Sequence, residues 1–400
     1  MSDDGSSSPA VLSSNQVLLL AVAIAVVTAN AYYIHPIIAR VAEAFDVSEA
    51  MIGIVPALNQ IALAVGIFFL LPLGDRFSNR RLAIIFVACQ AAAIVGMALA
   101  QSFWLFTAAS TLLGFFTIAP YLLPAYASKR VEPGRLGRVT AVLTTGIIIG
   151  ILLARTGAGV VAEHFGWRAV YISAATMMVA ISVALPWLMR AEAIAPRNGP
   201  GQSYAGLVGS IFPLVRSNPE ILVSGAIQAL SFGVFLSVWM GIGLHLTSPE
   251  MGYGVDVVGY LAAVAVFSIF ATPRLGSWAD KVGGRRARFI LSLCNLTGVA
   301  LLFVSGQSIW VLLIPIIIMN LAGPAVDVTG RMTFLDRPPE TRTRLMTVYI
   351  VMMFVGGGAA SWAGTAAYAY AGWTGTSVLA GAMSLCVVLL SALALRYKPA

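Results

Sequence analysis

Gly276-Ser-Trp-Ala-Asp-Lys-Val-Gly-Gly-Arg-Arg286 decides the fold, because the chain has already used its pattern once, at Leu71-Pro-Leu-Gly-Asp-Arg-Phe-Ser-Asn-Arg-Arg81. The two copies lie about 205 residues apart, and within one residue the same offset carries Gly53 onto Gly259, Pro133 onto Pro338, and Gly166-Trp167 onto Gly372-Trp373. Four landmarks at one spacing imply two similarly built halves. The residues between the landmarks are overwhelmingly apolar. A doubled bundle in a membrane, with its working site where the halves meet, is a common build for secondary transporters.

Composition points to lipid. Hydrophobic residues make up 59% and charged residues 10% of the chain, against roughly 45–50% and 25% in soluble domains. The mean hydropathy of +0.89 shows that no polar face offsets the apolar one. A helix that crosses a bilayer needs about 20 mostly apolar residues. By that measure the expected spans are 16–39, 48–73, 80–100, 103–127, 138–162, 168–189, 220–246, 254–274, 287–305, 308–334, 344–369 and 373–396. The expected fold class is therefore an all-α membrane protein of twelve helices in two pseudo-symmetric halves. Residues 1–15 read as a polar, disordered tail, 16–189 as the first six-helix bundle, 190–219 as the linker and 220–396 as the second bundle. The tail has no basic region and no small-residue cleavage site, so span 1 reads as uncleaved.

The basic residues set the orientation. They gather in alternate loops: Arg76, Arg80 and Arg81; Lys129, Arg130, Arg135 and Arg138; Lys281, Arg285, Arg286 and Arg288; Arg337, Arg342 and Arg344. The opposite loops carry Arg40 and Arg168 beside Glu43, Asp46, Glu49, Glu163, Glu250 and Asp256. The positive-inside rule then expects both termini in the cytoplasm. The net charge of +8 follows from this asymmetry. It does not point to nucleic acid, because the cations are scattered over short loops. Trp104, Trp167, Trp310 and Trp373 at outer span ends, with Trp187 at an inner end, are expected to form an interfacial belt. Cys89, Cys294 and Cys386 have neither metal nor redox spacing and read as packing residues.

The repeated loops carry the most specific chemistry. Each joins two antiparallel spans, with an acid, Asp75 or Asp280, before a cluster of cations: Arg76, Arg80 and Arg81 in one copy, Lys281, Arg285 and Arg286 in the other. Carboxylates are favoured near helix N-termini. The guanidinium groups are suited to hold carboxylates or helix-end carbonyls across the seam between halves. The expectation is a cytoplasmic latch, with Arg331 contributing from span 10. The plainer alternative is an ordinary basic loop.

The second copy resembles the signature loop Gly-x-Leu-Ala-Asp-Arg-x-Gly-Arg-Arg of the major facilitator superfamily, with Trp278 for Leu and Lys281 for Arg. The first departs at Leu71 and Ser78. Gly146-Ile-Ile-Ile-Gly-Ile-Leu-Leu-Ala-Arg-Thr-Gly157, followed by Gly166-Trp-Arg-Ala-Val-Tyr171, is similar to bacterial efflux members grouped with drug:proton antiporters. Over residues 16–396 the resemblance implies a twelve-helix transporter that alternates access to a cavity lined by helices 1, 4, 7 and 10. Two positions depart from the drug-antiporter pattern. Ser110 stands four residues before Gly114 where such exporters often have Arg, and Arg155 stands at the Pro position of the helix-5 motif. The family's helix-4 proton site is therefore not carried over.

Ionisable groups inside spans are expensive, about 2.5–3.5 kcal/mol each at the bilayer centre on insertion scales, and so point to function. Arg155 lies in the outer half of span 5. Its functional reading is a cavity cation for an anionic or hydrogen-bond-accepting substrate; the alternative is a structural Arg on backbone carbonyls. Asp327 and Arg331 lie four residues apart in span 10. They read as an i,i+4 pair, or Asp327 carries the coupling proton. His35 can also titrate. It closes the polar break Asn30-Ala-Tyr-Tyr-Ile-His-Pro36, whose Asn30, Tyr32 and Tyr33 are expected to line the cavity with it. Gln228, Phe232, Phe235 and Trp239 form a stripe along span 7 that suits either an amphipathic ligand or core packing. Asn320 in span 10, like Asn59, Gln60 and Gln90, is a ligand contact or an interhelical hydrogen bond. Gly146, Gly150 and Gly356-Gly-Gly358 are expected at the seam, where close-packed helices let the halves rock.

No metalloprotease, nucleophile-elbow, Walker or dinucleotide motif occurs, so no enzyme, cofactor or metal is expected. The expected function is secondary active transport by alternating access: proton-coupled export of a small amphipathic or anionic organic compound by a monomer in the lipid bilayer of a bacterial-type inner membrane. The alternatives are uptake or passive facilitation on the same fold and, more remotely, a channel or membrane sensor, for which no filter loop or output domain is visible.

Overall fold

The computed structural model describes residues 12–189, 204–334 and 337–396. Most of the expected tail and the linker stretch 190–203 lie outside these, as does the side chain of Asp75. Every regular element among the described residues is helical. Spans 1 to 10 are Ser14–Ala44, Glu49–Gly74, Asn79–Leu99, Phe103–Ser128, Leu136–Phe165, Trp167–Leu188, Glu220–Leu246, Val255–Val282, Gly284–Ser305 and Ile309–Met332. The remaining stretch, Pro339–Ala394, holds spans 11 and 12, divided by non-helical Ala371 and Gly372. Two short helices, Tyr204–Gly209 and Ile211–Ser217, lead into span 7.

Serines start four spans. Ser13 and Gln16 form a reciprocal capping box, and the hydroxyls of Ser48, Ser78 and Ser102 each accept from a backbone N–H three residues on. Each satisfies a donor that the helix leaves free at its first turn. Gly166 and Gly372 both adopt positive φ (82° and 57°), so the repeat also extends to backbone at the turns between spans 5 and 6 and between spans 11 and 12. That region is open to Gly and strained for other residues.

Two spans break where the sequence contains polar residues before Pro. Span 1 stops being helical over residues 30–33, just before Pro36. Span 4 breaks at Thr117, ahead of Pro120. The Thr117 hydroxyl donates to Leu113 O at 2.7 Å and accepts from Gln90 Nε2 at 2.9 Å, so the break is tied into the first six spans. Gln90 also donates to Val27 O, and Asn59 donates to Ser110 O, which makes both interhelical ties.

Small residues set how closely the spans approach. A Cβ on Gly159 would lie 2.5 Å from Val255 O and 3.0 Å from the Gly259 Cα, so spans 5 and 8 touch backbone to backbone. Gly243 in span 7 meets the His35 carbonyl in the same way, and Gly358 in span 11 meets Ala57 O in span 2. These contacts join the two sets of six spans. Because lipid tails are as apolar as Leu, such close approach is what holds helices together in a bilayer. Gly146 and Gly150 do not serve the seam: they rest on Ala21 and Ala25 of span 1 within the first six spans. Of the triple glycine, Gly356 and Gly357 face Ala229 and Phe232 of span 7, and only Gly358 crosses over.

The tryptophan expectation divides. Trp104, Trp187 and Trp310 are exposed, but Trp167 and Trp373 are buried. Trp167 packs against Phe45, Phe106 and Tyr171. Trp373 donates from Nε1 to Leu302 O at 2.7 Å and stacks on His245. An indole that finds a carbonyl or an aromatic cage needs no interface. Cys294 and Cys386 are exposed on the bundle surface, and Cys89 is half-buried. Packing is thus not their common role.

Candidate functional site

The break in span 1 turns Tyr32 and His35 inward, span 5 carries Arg155 past them, and span 7 completes the group with Phe235 and Trp239. The Arg155 guanidinium carbon lies 4.6 Å from the Phe235 ring centre, 4.7 Å from that of Trp239 and 5.3 Å from that of Tyr32. Tyr32 and His35 meet edge to face at 5.2 Å. The cluster therefore draws on spans 1 and 5 from the first half of the chain and span 7 from the second.

It is sealed and polar at once. Arg155 is 2% exposed and His35 1%. Arg155 Nε and Nη2, both nitrogens of His35, and both polar atoms of the Asn30 side chain have no hydrogen-bond partner among the protein atoms. Each unmet buried donor or acceptor costs about 1–3 kcal/mol. Cation–π contact with three rings offsets part of the charge burial, at about 0.5–2 kcal/mol per ring, but it leaves the N–H edge unused. The local alternative, an Arg satisfied by backbone carbonyls, does not describe Nε and Nη2.

Other expected site residues fall elsewhere. Tyr33 lines an apolar groove of about 180 Å³ between spans 1, 5 and 6, away from the aromatic box. Gln228 donates to Met353 Sδ at 3.3 Å while its Oε1 is unpartnered, and Phe232 packs between Phe235 and Phe354. Asn320 donates to Ile316 O at 2.8 Å, one turn back on its own helix. Asp327 forms a two-pronged ion pair with Arg331, whose Nη2 and Nε lie 2.8 Å and 3.0 Å from its oxygens, and its carbonyl accepts from Tyr349 Oη. Tyr121 lies within Coulombic reach of this pair and of Tyr32.

The latch expectation needs correcting in its direction. Arg80 donates to Met189 O (2.6 Å) and Pro186 O (3.0 Å), gripping the end of span 6 in its own half. Its repeat partner Arg285 pairs with Glu220 at the start of span 7, again in its own half. Asp280 lies in the last turn of span 8 rather than at a helix start, and the cap of span 3 is Ser78. A short loop holds its cations beside the helix ends it connects, so these contacts stay local. Among the described residues, no hydrogen bond or ion pair of Arg81, Lys281 or Arg286 crosses the seam.

A polar tie across the seam lies instead at the opposite, acidic end. Glu163 Oε2 at the end of span 5 accepts from the Val255 N–H (3.1 Å) at the first turn of span 8, and lies 3.5 Å from Arg40. The carboxylate caps a helix of the other half, where the dipole favours it. In the sequence Glu163 reads only as an outer acid and Arg288 as a loop cation. That residue is fully buried in span 9, with Nη1 on Ser224 Oγ at 2.9 Å and Nε and Nη2 unpartnered. Its position two residues inside the helix after Arg286 was the available signal.

Twelve apolar spans in a repeated arrangement, meeting around a sealed polar cluster, define a membrane transporter. The chain belongs to the Major Facilitator Superfamily, whose family model matches residues 20–337. It is 29% identical over 384 residues to the uncharacterized transporter YgaY of Escherichia coli O157:H7, covering 95% of each chain. It is 27% identical over 267 residues to the multidrug resistance protein MdtG of Dickeya zeae, covering 64% of this chain and 63% of the relative. A crystal structure of a bacterial homologue of the human lysosomal transporter Spinster, inward-facing and unoccupied, superposes with a TM-score of 0.78 at 14% identity, covering 97% and 99% of the two chains. That likeness is one of fold.

Proposed function

We propose that this transporter works by alternating access and exports a small amphipathic or anionic organic compound in exchange for protons. The observation that carries this reading is the cluster of Arg155, His35 and Tyr32 with Phe235 and Trp239, contributed by both halves and rich in unmet hydrogen-bonding groups. A site built from both halves is remade whenever the halves pivot. The MdtG relatives, named for multidrug resistance, support export. Arg155 binds the substrate, and Asn30 adds a hydrogen-bonding side chain from the same break as Tyr32. His35, or Asp327 with Arg331, takes up and releases the coupling proton. The chain acts as a monomer in the inner membrane with both termini in the cytoplasm. The grips of Arg80 and Arg285 hold each half rigid, and the Glu163 tie closes the outer end.

The test is uptake by proteoliposomes containing the purified chain, driven by an imposed pH gradient, over a panel of drugs and metabolites. Counter-transport distinguishes a transporter from a channel. The site assignment fails if Arg155→Ala and His35→Ala both leave transport and its pH dependence intact.

A further inference from the structure

The unpartnered atoms of Arg155 are not an arbitrary pair. Nε and Nη2 lie on one edge of the guanidinium, and their N–H bonds run parallel: this is the fork that takes both oxygens of a carboxylate. The rings of Tyr32, Phe235 and Trp239 hold the guanidinium carbon at 4.6–5.3 Å, so the plane is fixed while the forked edge stays free. His35, within Coulombic reach of Arg155, adds an unpartnered imidazole, which in its neutral form still offers one N–H.

Resting on the proposed transport site, we infer that the ligand class is a monocarboxylate with an apolar body, bound side-on through Arg155 Nε and Nη2. Three features select it. Two parallel donors need two coplanar acceptors. A carboxylate supplies both, whereas a primary amide supplies one and sets its own NH2 against the second donor. One guanidinium neutralises one negative charge, and while His35 is neutral no second cation contacts the aromatic box among the described residues, which disfavours phosphate dianions. The walls are aromatic and apolar, which suits a hydrophobic remainder. Arg288 also has a free Nε and Nη2 edge, but it sits within the second half beside Ser224, with Glu220 and Arg285 in Coulombic reach, and an anion there would face a carboxylate.

The experiment uses the purified full-length chain in nanodiscs and matched probes: benzoate with benzamide, indole-3-acetate with indole-3-acetamide, octanoate with octanamide, and benzenesulfonate. Thermal unfolding across a concentration series gives each affinity, since a ligand that binds the folded state raises its stability. At least one acid is expected to bind on the order of a hundredfold tighter than its amide, because a site built to pair specific donors rejects an analogue that leaves one unpaired. Arg155→Lys keeps the charge and loses the fork, and should weaken that acid by about tenfold or more. The inference is overturned if every amide matches its acid, if no acid binds, if benzenesulfonate is preferred to the carboxylates, or if the preference survives Arg155→Lys and is lost in Arg288→Lys. Should Arg155→Lys not fold, the acid–amide pairs on the unaltered chain still decide. Binding and pH-driven flux of ethidium without any acid would leave the transport reading standing and remove only the carboxylate. Failure of all flux would remove transport itself.

Discussion

Replacing Gly159 by Ala should pry spans 5 and 8 apart at the acidic end. The added Cβ would lie 2.5 Å from Val255 O, 3.0 Å from Gly259 Cα and 3.1 Å from Gly259 N. Ordinary carbon contacts lie near 3.5–4.0 Å, so the backbones must part by about 1 Å. All three neighbours are backbone and cannot turn aside. Overpacking of this kind costs about 1–3 kcal/mol, and only where the two spans touch. An equilibrium between closed and open arrangements at that end would then shift by about 5- to 150-fold toward open. The gain in helix propensity from Gly to Ala applies to both arrangements and cancels. Gly157, two residues away on the same helix, has no atom within 4 Å of its notional Cβ, so Gly157→Ala is the matched control. With Cys89, Cys294 and Cys386 replaced, spin labels at Glu49→Cys and Glu250→Cys would report the width of the acidic end. There Glu49, Ser248 and Pro249 flank a cleft of about 330 Å³. The distance distribution should lengthen for Gly159→Ala and stay fixed for Gly157→Ala. Identical distributions in both would refute the argument that backbone contact at the seam sets the closed state.

Glu163→Gln should weaken closure in the same label assay by about 0.3–1 kcal/mol, the usual worth of a charge at a helix N-terminus, since the amide keeps an acceptor for Val255 N–H but loses the charge near the helix dipole. Arg80→Ala removes two charged hydrogen bonds from the end of span 6 and should lower the thermal midpoint by a loss of about 1.5–3 kcal/mol per bond at most; an unchanged midpoint would mean the contact is dispensable. Arg288→Met should leave stability equal or higher, because a buried cation with unmet donors is replaced by an apolar chain of similar length; a large loss would show that Arg288 has a partner. Asp327→Asn leaves Arg331 without its countercharge. Stability should fall, and if pH-driven flux keeps its pH dependence the coupling role passes to His35.

Much of the fold was written along the chain. Span length is a one-dimensional property, since about 20 apolar residues cross a bilayer wherever they occur, and the repeated loops declared the doubling. The break at Asn30–Tyr33 was legible because polar residues before Pro cannot continue a lipid-facing helix. Arg155 was legible because a deep cation is rare. Sequence could not tell which way side chains turned. Tyr32 and Tyr33 are neighbours of one type, yet the turn at the break in span 1 sends one to Arg155 and the other to an apolar groove. Phe235 faces Arg155 while Phe232, on the same stripe, packs against span 11.

The loops show the same division. Arg80 and Arg285 could be recognised as matched cations, but their partners lie 109 and 65 residues away in sequence and are fixed by which helix ends arrive beside them. The contact that crosses the seam, Glu163 on Val255 N–H, joins positions 92 residues apart whose sequence carries no mark of pairing. Composition, periodicity and repeat specify the spans because each is local in the chain. The site, the seam and the unused edge of Arg155 depend on the rotation and approach of separate helices, which packing in three dimensions decides.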